Sequence, residues 1–475
     1  MKTLINDTIV ALATPTGKGA LAIIRLSGTD AIRIADSVWN GTSLKDCATH
    51  TAHLGNITDE TGNVLDQAVA TVFRGPKSFT GEDIVEFSLH ASPWIIREVS
   101  NLLLRKGARG AEPGEFSRRA FLNGRMDLAS AEGVADLIAS SSKAAHRLAM
   151  QQTRGAFSKE FNVLRDKLIE LASLLELELD FSEEDVEFAD RKRLIEIATQ
   201  LLMKIERLTD SYATGRAIKE GVPVVIAGMP NVGKSTLLNA LLQEDKAIVS
   251  DIPGTTRDII EDTCEIEGVL FRFIDTAGLR ESADKIETIG IERARKRLNQ
   301  ASIILWLIDP TAPVIDQIEE MRESLSGLDA WQKIIPVITK TSAPGISETS
   351  IDIIRNTLSS SLQSDVFSLD KKNIIEISAA EGKGLDALRE ILKQATTSDF
   401  DPEKELLLTN ARHYGDLLQA GNALRRALDQ MASGTSADFI AMDIREATAA
   451  LTSLTGAITT PDLLNSIFSR FCIGK

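Results

Sequence analysis

The spacing of hydrophobic positions changes along the chain and divides it into stretches of different character. Over residues 1–122, short apolar runs alternate with glycine breaks. Residues 20–25 and 67–73 read as strands, and Gly17, Gly19, Gly28, Gly62, Gly75 and Gly81 mark turns. From 123 to 217 the period lengthens. Phe157, Phe161, Leu164, Leu168, Leu171 and Leu175 recur in steps of four and three, which places them on one helix face. After the acidic residues 182–185, Leu194, Ile197, Leu201, Ile205 and Leu208 repeat the stripe. Two long helices with packing faces are expected there. Residues 218–397 carry apolar β-type runs at 222–227, 269–274, 303–308, 334–338 and 374–377, most of them separated by helical segments. That alternation predicts a mostly parallel sheet covered by helices. Residues 398–475 return to helix, with Leu406, Leu407, Leu408, Leu417, Leu418 and Leu424. The expected fold is multidomain, α/β plus all-α: an N-terminal α+β domain (1–122), a helical domain in two parts (123–217 and 398–475), and a sheet domain (218–397) inserted between them.

Composition adds bounds. A chain of 475 residues suggests two to four domains at about 100–200 residues each. A formal net charge of −15 argues against a surface that is basic all over. Arg97, Arg105, Lys106, Arg109, Arg118, Arg119 and Arg125 crowd one stretch, either as a local basic patch or as scattered solvated arginines. Three cysteines, Cys47, Cys264 and Cys472, are far apart and lack metal-ligand spacing, so a reducing cytoplasm is expected. No apolar run approaches the roughly 20 residues of a membrane span. Asn6 and Asp7 interrupt any signal-like N-terminal core.

The sharpest chemistry lies in the inserted domain. Gly228-Met-Pro-Asn-Val-Gly-Lys-Ser235 follows an apolar strand and precedes a helical run. This is the phosphate-binding-loop spacing in its required strand–loop–helix context. Glycines let backbone N–H groups turn toward phosphates, and the helix N-terminus adds positive potential. Lys234 is expected on the β- and γ-phosphates, with the Ser235 hydroxyl on Mg²⁺. Asp275-Thr-Ala-Gly278 ends the next strand. Its Asp is suited to the magnesium shell, and its Gly N–H to the γ-phosphate. Between them, Pro253-Gly-Thr-Thr-Arg-Asp258 offers Thr256 as a second magnesium ligand.

Guanine recognition normally uses Asn-Lys-x-Asp after a later strand. Here the element reads Thr339-Lys-Thr-Ser342. Lys340 can lie along the base, but Ser342 lacks the carboxylate that accepts from the guanine N1–H and amine. Losing that charge-assisted pair costs about 1.5–3 kcal/mol, roughly ten- to a hundredfold in affinity. Ser378 and Ala379 suit the backbone contact to the guanine oxygen. Leu279 stands where many small GTPases place a water-orienting Gln, so another group must serve. Glu287, in Asp284-Lys-Ile-Glu-Thr-Ile-Gly290, is the candidate.

The order of these motifs resembles the bacterial and organellar MnmE (TrmE) tRNA-modification GTPase family. Further stretches carry the resemblance. They are Phe79-Thr-Gly-Glu-Asp-Ile-Val-Glu86, Pro113-Gly-Glu-Phe-Ser-Arg-Arg-Ala-Phe-Leu-Asn-Gly-Arg-Met-Asp-Leu128, and the final Phe471-Cys-Ile-Gly-Lys475. The resemblance implies a cytoplasmic homodimer formed through N-terminal domains that bind 5-formyl-tetrahydrofolate. It implies an FAD-dependent MnmG-type partner and tRNA as substrate. The pair is then expected to install an aminomethyl or carboxymethylaminomethyl group at C5 of the wobble uridine (position 34), using a one-carbon unit from 5,10-methylene-tetrahydrofolate. The resemblance also implies GTP hydrolysis that depends on K⁺ and rises when two sheet domains meet.

Carried over by position, Arg25, Glu86, Arg125 and Lys475 match folate-contacting residues. Asn231, Ser250, Ile252 and Thr255 match a potassium site, Ser235 and Thr256 the magnesium ligands, and Glu287 and Lys234 the catalytic pair. Implied nucleotide contacts are Asn231, Val232, Gly233, Lys234, Ser235 and Thr236, then Ser250, Asp251, Ile252, Pro253, Gly254, Thr255 and Thr256. Asp275, Thr276, Ala277, Gly278, Thr339, Lys340, Ser342, Ser378, Ala379 and Ala380 complete them. His90-Ala-Ser-Pro93 departs from the family's His-Gly-Gly-Pro and removes two glycines that tolerate positive φ. Arg125 stands where the family often has Lys. Cys472 reads as packing or as a nucleophile. A regulatory GTPase without group transfer, and an NTPase with base choice relaxed at Ser342, are the competing readings.

Overall fold

The computed structural model describes residues 7–17, 19–180, 191–243, 261–266, 268–274, 298–325, 332–361, 374–396, 405–433, 435–457, 459–469, 471, 473 and 474. They form two compact units: Met1–Ala139, Ala149–Glu206 and Gly415–Lys475 in one, Ser140–Leu148 and Arg207–Tyr414 in the other.

The first unit contains strands β1 (Ile9–Leu12), β2 (Leu21–Ser27), β3 (Trp39–Asn40), β4 (Thr51–Thr58), β5 (Val64–Phe73), β6 (Ile84–His90) and β7 (Arg109–Gly110). Their order is β3-β4-β5-β6-β2-β1-β7. All neighbours are antiparallel except β1 and β7. Period-two alternation explains β5: Asp66, Ala68, Ala70 and Val72 face inward while their neighbours are more exposed. Helix Pro93–Arg105 covers the sheet with Val99, Leu102 and Leu103. It begins at an extended Ser92 (φ −79°) with Pro93 in its first turn, where a missing N–H costs nothing. Residues 90–93 therefore need no positive φ, and the family's glycines are dispensable here. Asp66 secures the turn by accepting from the His90 backbone N–H and pairing with its Nδ1, both at 2.8 Å.

Helices Ala156–Asp180 and Ala437–Thr455 pack together in this unit. Phe157, Phe161, Leu164, Leu168, Leu171 and Leu175 form the buried stripe that the periodicity predicts. On helix Arg191–Asp210 the stripe runs through Leu194, Ala198, Leu201 and Ile205, and Ile197 is only half-buried. A 3.6-residue period favours position 198 over 197. The acidic residues 182–185 lie outside the described residues.

The crowded arginines do not form a basic stripe. Arg97, Arg105, Lys106, Arg109, Arg118 and Arg119 each lie within ion-pair distance of a carboxylate. Arg119 is wholly buried between Asp7, Glu82 and Glu115. Glu115, also fully buried, accepts from Arg109 on its other side. Burial alone pushes the Glu115 carboxyl up. The hydrogen bonds from Arg109, the Glu112 backbone and Arg119 outweigh it and hold the group below its ordinary range.

The second unit contains β8 (Val222–Ala227), β9 (Glu261–Ile266), β10 (Val269–Ile274), β11 (Ile303–Ile308), β12 (Lys333–Ile338) and β13 (Ile375–Glu376), in the order β13-β12-β11-β8-β10-β9. Every pairing is parallel except that of β9 with β10. β11 is buried at every position, as a central parallel strand should be. β9 escaped the hydrophobic reading because four of the six residues in Glu261-Asp-Thr-Cys-Glu-Ile266 are polar, which suits an edge strand. Leu406, Leu407 and Leu408 are not helical. Leu407 packs with Leu148 and Ile218, and the helix starts at Ala411. The Leu408 N–H donates to Ser211 Oγ at 3.0 Å, and Gly215 leaves room for the Leu408 carbonyl.

Candidate nucleotide site

β8 lies between β10 and β11, so the chain adds strands first on one side of β8 and then on the other. Open parallel sheets place their ligand crevice at such a point, beyond the strand C-termini. Residues 228–233 occupy that position, between β8 and helix Lys234–Gln243. Gly228 has φ 131°, and a Cβ there would come 2.5 Å from the Leu307 carbonyl. Only glycine fits. Asn231 at φ 61° and Gly233 at φ 108° complete the reversal. Val232 anchors the loop in the core at 1% exposure.

Lys234 Nζ donates to the carbonyls of Gly228 (2.5 Å) and Met229 (3.0 Å), so its charge sits across the loop mouth. Burial lowers its pKa, and the Glu320 charge opposes that shift. Burial in turn raises the Glu320 carboxyl, and Lys234 opposes it. Ser235 and Thr236 are exposed in the first turn of the helix.

The candidate base-recognition loop is joined to this one directly. Thr339, 4% exposed, donates its hydroxyl to the Val232 carbonyl at 2.8 Å and lies 3.2 Å from that of Ile308. The first residue of the altered element thus holds the phosphate loop even though it is not Asn. Lys340 adopts φ 51° and pairs with Asp309 at 2.5 Å. Burial pushes the Asp309 carboxyl up, but Lys340 and Thr311 overcome this and lower it. Asp309 and Glu320 were not singled out in the sequence. Asp309 has a signal, since it closes β11 as Asp275 follows β10; Glu320 has none. Residues 250–256, 275–278, 284–290, Cys472 and Lys475 lie outside the described residues.

Residues 128–472 match the MnmE helical domain family, and residues 8–125 match the family described as GTP-binding protein TrmE N-terminus. The chain belongs to the MnmE family of tRNA modification GTPases. It is 49% identical over 470 residues to the tRNA modification GTPase MnmE of Cytophaga hutchinsonii, covering 99% of this chain and 98% of that one. With the protein of the same name from Christiangramia forsetii it shares 45% identity, covering 99% and 100%. A solved GTP-binding protein from Sulfolobus solfataricus in complex with GDP superposes with a TM-score of 0.30 at 19% identity, covering 49% of this chain and 66% of that one. No helix among the described residues is long and apolar enough to cross a membrane.

The family's N-terminal motifs converge in the first unit. Arg25 on β2 and Glu86 on β6 are register partners, with Nε 2.7 Å from Oε1. Arg25 also donates to the Gly474 carbonyl at 3.2 Å. The Phe79 and Phe116 rings lie 5.8 and 5.6 Å from its guanidinium. Arg125 is exposed and packs its stem beside Gly81, two residues from Phe79.

Proposed function

We propose that this chain hydrolyses GTP at the site around Lys234. With an FAD-dependent MnmG-type partner, it uses that hydrolysis to form an aminomethyl or carboxymethylaminomethyl group at C5 of the tRNA wobble uridine. The carrying observation is the hydrogen bond from Thr339 to Val232, which ties the proposed base loop to the proposed phosphate loop.

Lys234 holds the β- and γ-phosphates by trading two backbone carbonyls for phosphate oxygens. Helix Lys234–Gln243 directs its N-terminal N–H groups at the same anion. Ser235 offers a hard hydroxyl oxygen beside Lys234, suited to Mg²⁺, with Thr256 as its proposed companion. The metal, when bound, neutralises charge on the phosphate oxygens. Asn231 presents an exposed side chain from a left-handed backbone. Its amide oxygen is the donor type a K⁺ ion accepts; Ser250, Ile252 and Thr255 are the other proposed ligands. Glu287 is proposed to orient the attacking water.

In the first unit, a charged pair flanked by two rings suits a tetrahydrofolate, which carries a conjugated ring and carboxylates. Arg25, Glu86, Arg125 and Lys475 are its proposed contacts. The chain is proposed to act as a homodimer through this unit, in the cytoplasm.

GTP turnover in KCl and in NaCl at equal ionic strength tests this reading. We expect about tenfold or greater stimulation by KCl, because a cation beside the phosphates stabilises developing charge. The stimulation should increase with protein concentration. Equal turnover in both salts would remove the potassium assignment.

A further inference from the structure

In the first unit, the stretches 79–86 and 113–128 meet in a buried polar network. Ser27 and Thr80 are both fully buried, with their hydroxyl oxygens 2.7 Å apart. The Ser27 hydroxyl donates to Glu82 Oε2 at 2.7 Å, so its single proton is spent and Thr80 is the donor to Ser27. The Glu82 carboxylate takes its counter-charge from buried Arg119, 3.3 Å away. Thr80 is held twice more. Its Oγ1 accepts from the Glu82 backbone N–H at 3.2 Å, and its carbonyl accepts from Asn123 Nδ2 at 2.7 Å. Asn123 ends helix Glu115–Leu122. Ser78 Oγ donates to the Glu82 carbonyl at 2.5 Å. A donor chain that ends on a paired carboxylate is rigid.

Phe79 sits between Ser78 and Thr80, and its ring centroid is 5.8 Å from the Arg25 guanidinium, within cation–π reach. The second ring beside Arg25, that of Phe116, is fully buried, whereas Phe79 is 37% exposed. Phe116 therefore closes the guanidinium from the core, and Phe79 is the aromatic face open to a ligand. Ser27 lies two residues from Arg25 on β2, so the hydroxyl chain references ring and guanidinium to one strand.

We propose that Thr80, with Ser27 behind it, is the positioning residue that fixes the Phe79 ring over Arg25 as a preformed wall for the conjugated ring of a tetrahydrofolate. A wall ordered beforehand spares the ligand the cost of ordering it. The inference rests on the tetrahydrofolate reading above and adds what holds the aromatic wall of that site.

Calorimetric binding of 5-formyl-tetrahydrofolate to the full chain tests it. Thr80→Val keeps the shape and removes the hydroxyl; it should weaken binding by about five- to tenfold. Thr80→Ser should bind as wild type. In a Phe79→Ala background, Thr80→Val should cost less than about twofold more, because the ring it positions is gone. A merely structural Thr80 would cost the same in both backgrounds. On the ligand-free chain, Thr80→Val should speed amide exchange at Glu82 about tenfold and leave β2 and β6 unchanged. Should Thr80→Val fail to fold, Ser27→Ala removes the same hydrogen bond from its other end and is read in the same way. If Thr80→Val binds as tightly as wild type, or loses as much without Phe79 as with it, the proposal is overturned and the tetrahydrofolate reading stands. If wild type binds no 5-formyl-tetrahydrofolate, both fall.

Discussion

Replacing Lys234 by alanine is expected to lower GTP turnover by about two to three orders of magnitude, the usual effect of removing one preorganised charge from a transition state. The ammonium bridges the Gly228 and Met229 carbonyls, so its position is set before phosphate arrives. Little reorganisation is then needed when a γ-phosphate replaces those carbonyls. Fold stability should barely change, because two exposed-side carbonyls can be resolvated. Arginine should not rescue the loss. Its planar fork cannot enter a loop that closes so tightly on a compact ammonium. Phosphate release by wild type, Lys234→Ala and Lys234→Arg under identical Mg²⁺ and KCl checks this. Turnover within threefold of wild type in the alanine variant would show that hydrolysis occurs elsewhere.

Glu115→Gln is expected to destabilise the first unit by about 3 kcal/mol, roughly a hundredfold in the opening equilibrium. Glu115 is fully buried and holds two arginines, with Arg109 Nη2 at 2.5 Å and Arg119 Nη2 at 3.0 Å. The amide leaves Arg119 buried with less opposing charge. The loss stays near the lower end of the range for broken buried pairs because Asp7 and Glu82 still face Arg119. Hydrogen exchange of β1 and β7 on the full chain reads the effect, since Asp7 and Arg109 flank that pairing. The pH dependence has a definite sign. Glu115 and Asp7 titrate below their ordinary values of 4.5 and 3.8, so their stabilisation is complete above those values. It is lost as pH falls through the lowered folded values. Glu115→Gln should flatten that acid limb. Unchanged protection in β1 and β7 would show that the cluster contributes no net stability.

Much of the fold was legible because burial on both faces writes itself into sequence. β8 and β11 are unbroken apolar runs and β10 is interrupted only by Arg272, and their ends in the structure coincide with the runs. The helical stripe from Phe157 to Leu175 was legible for the same reason. Polar edge strand β9 was not, nor was the non-helical course of Leu406–Leu408, whose apolar character reports burial without saying which backbone achieves it. In the site, the phosphate loop was readable because glycine and lysine spacing is demanded by close approach to phosphate. The role of Thr339 was hidden, since a hydroxyl donor can replace an amide donor without keeping the motif.

The second unit is thus read as a guanine-nucleotide hydrolase despite its altered base-recognition element. Phosphate release from GTP and from ATP, each at the same concentration with full-length protein, Mg²⁺ and KCl, tests it most directly. Steady release from GTP and background release from ATP are expected. Equal release from the two nucleotides, or none from GTP at any protein concentration, would contradict it.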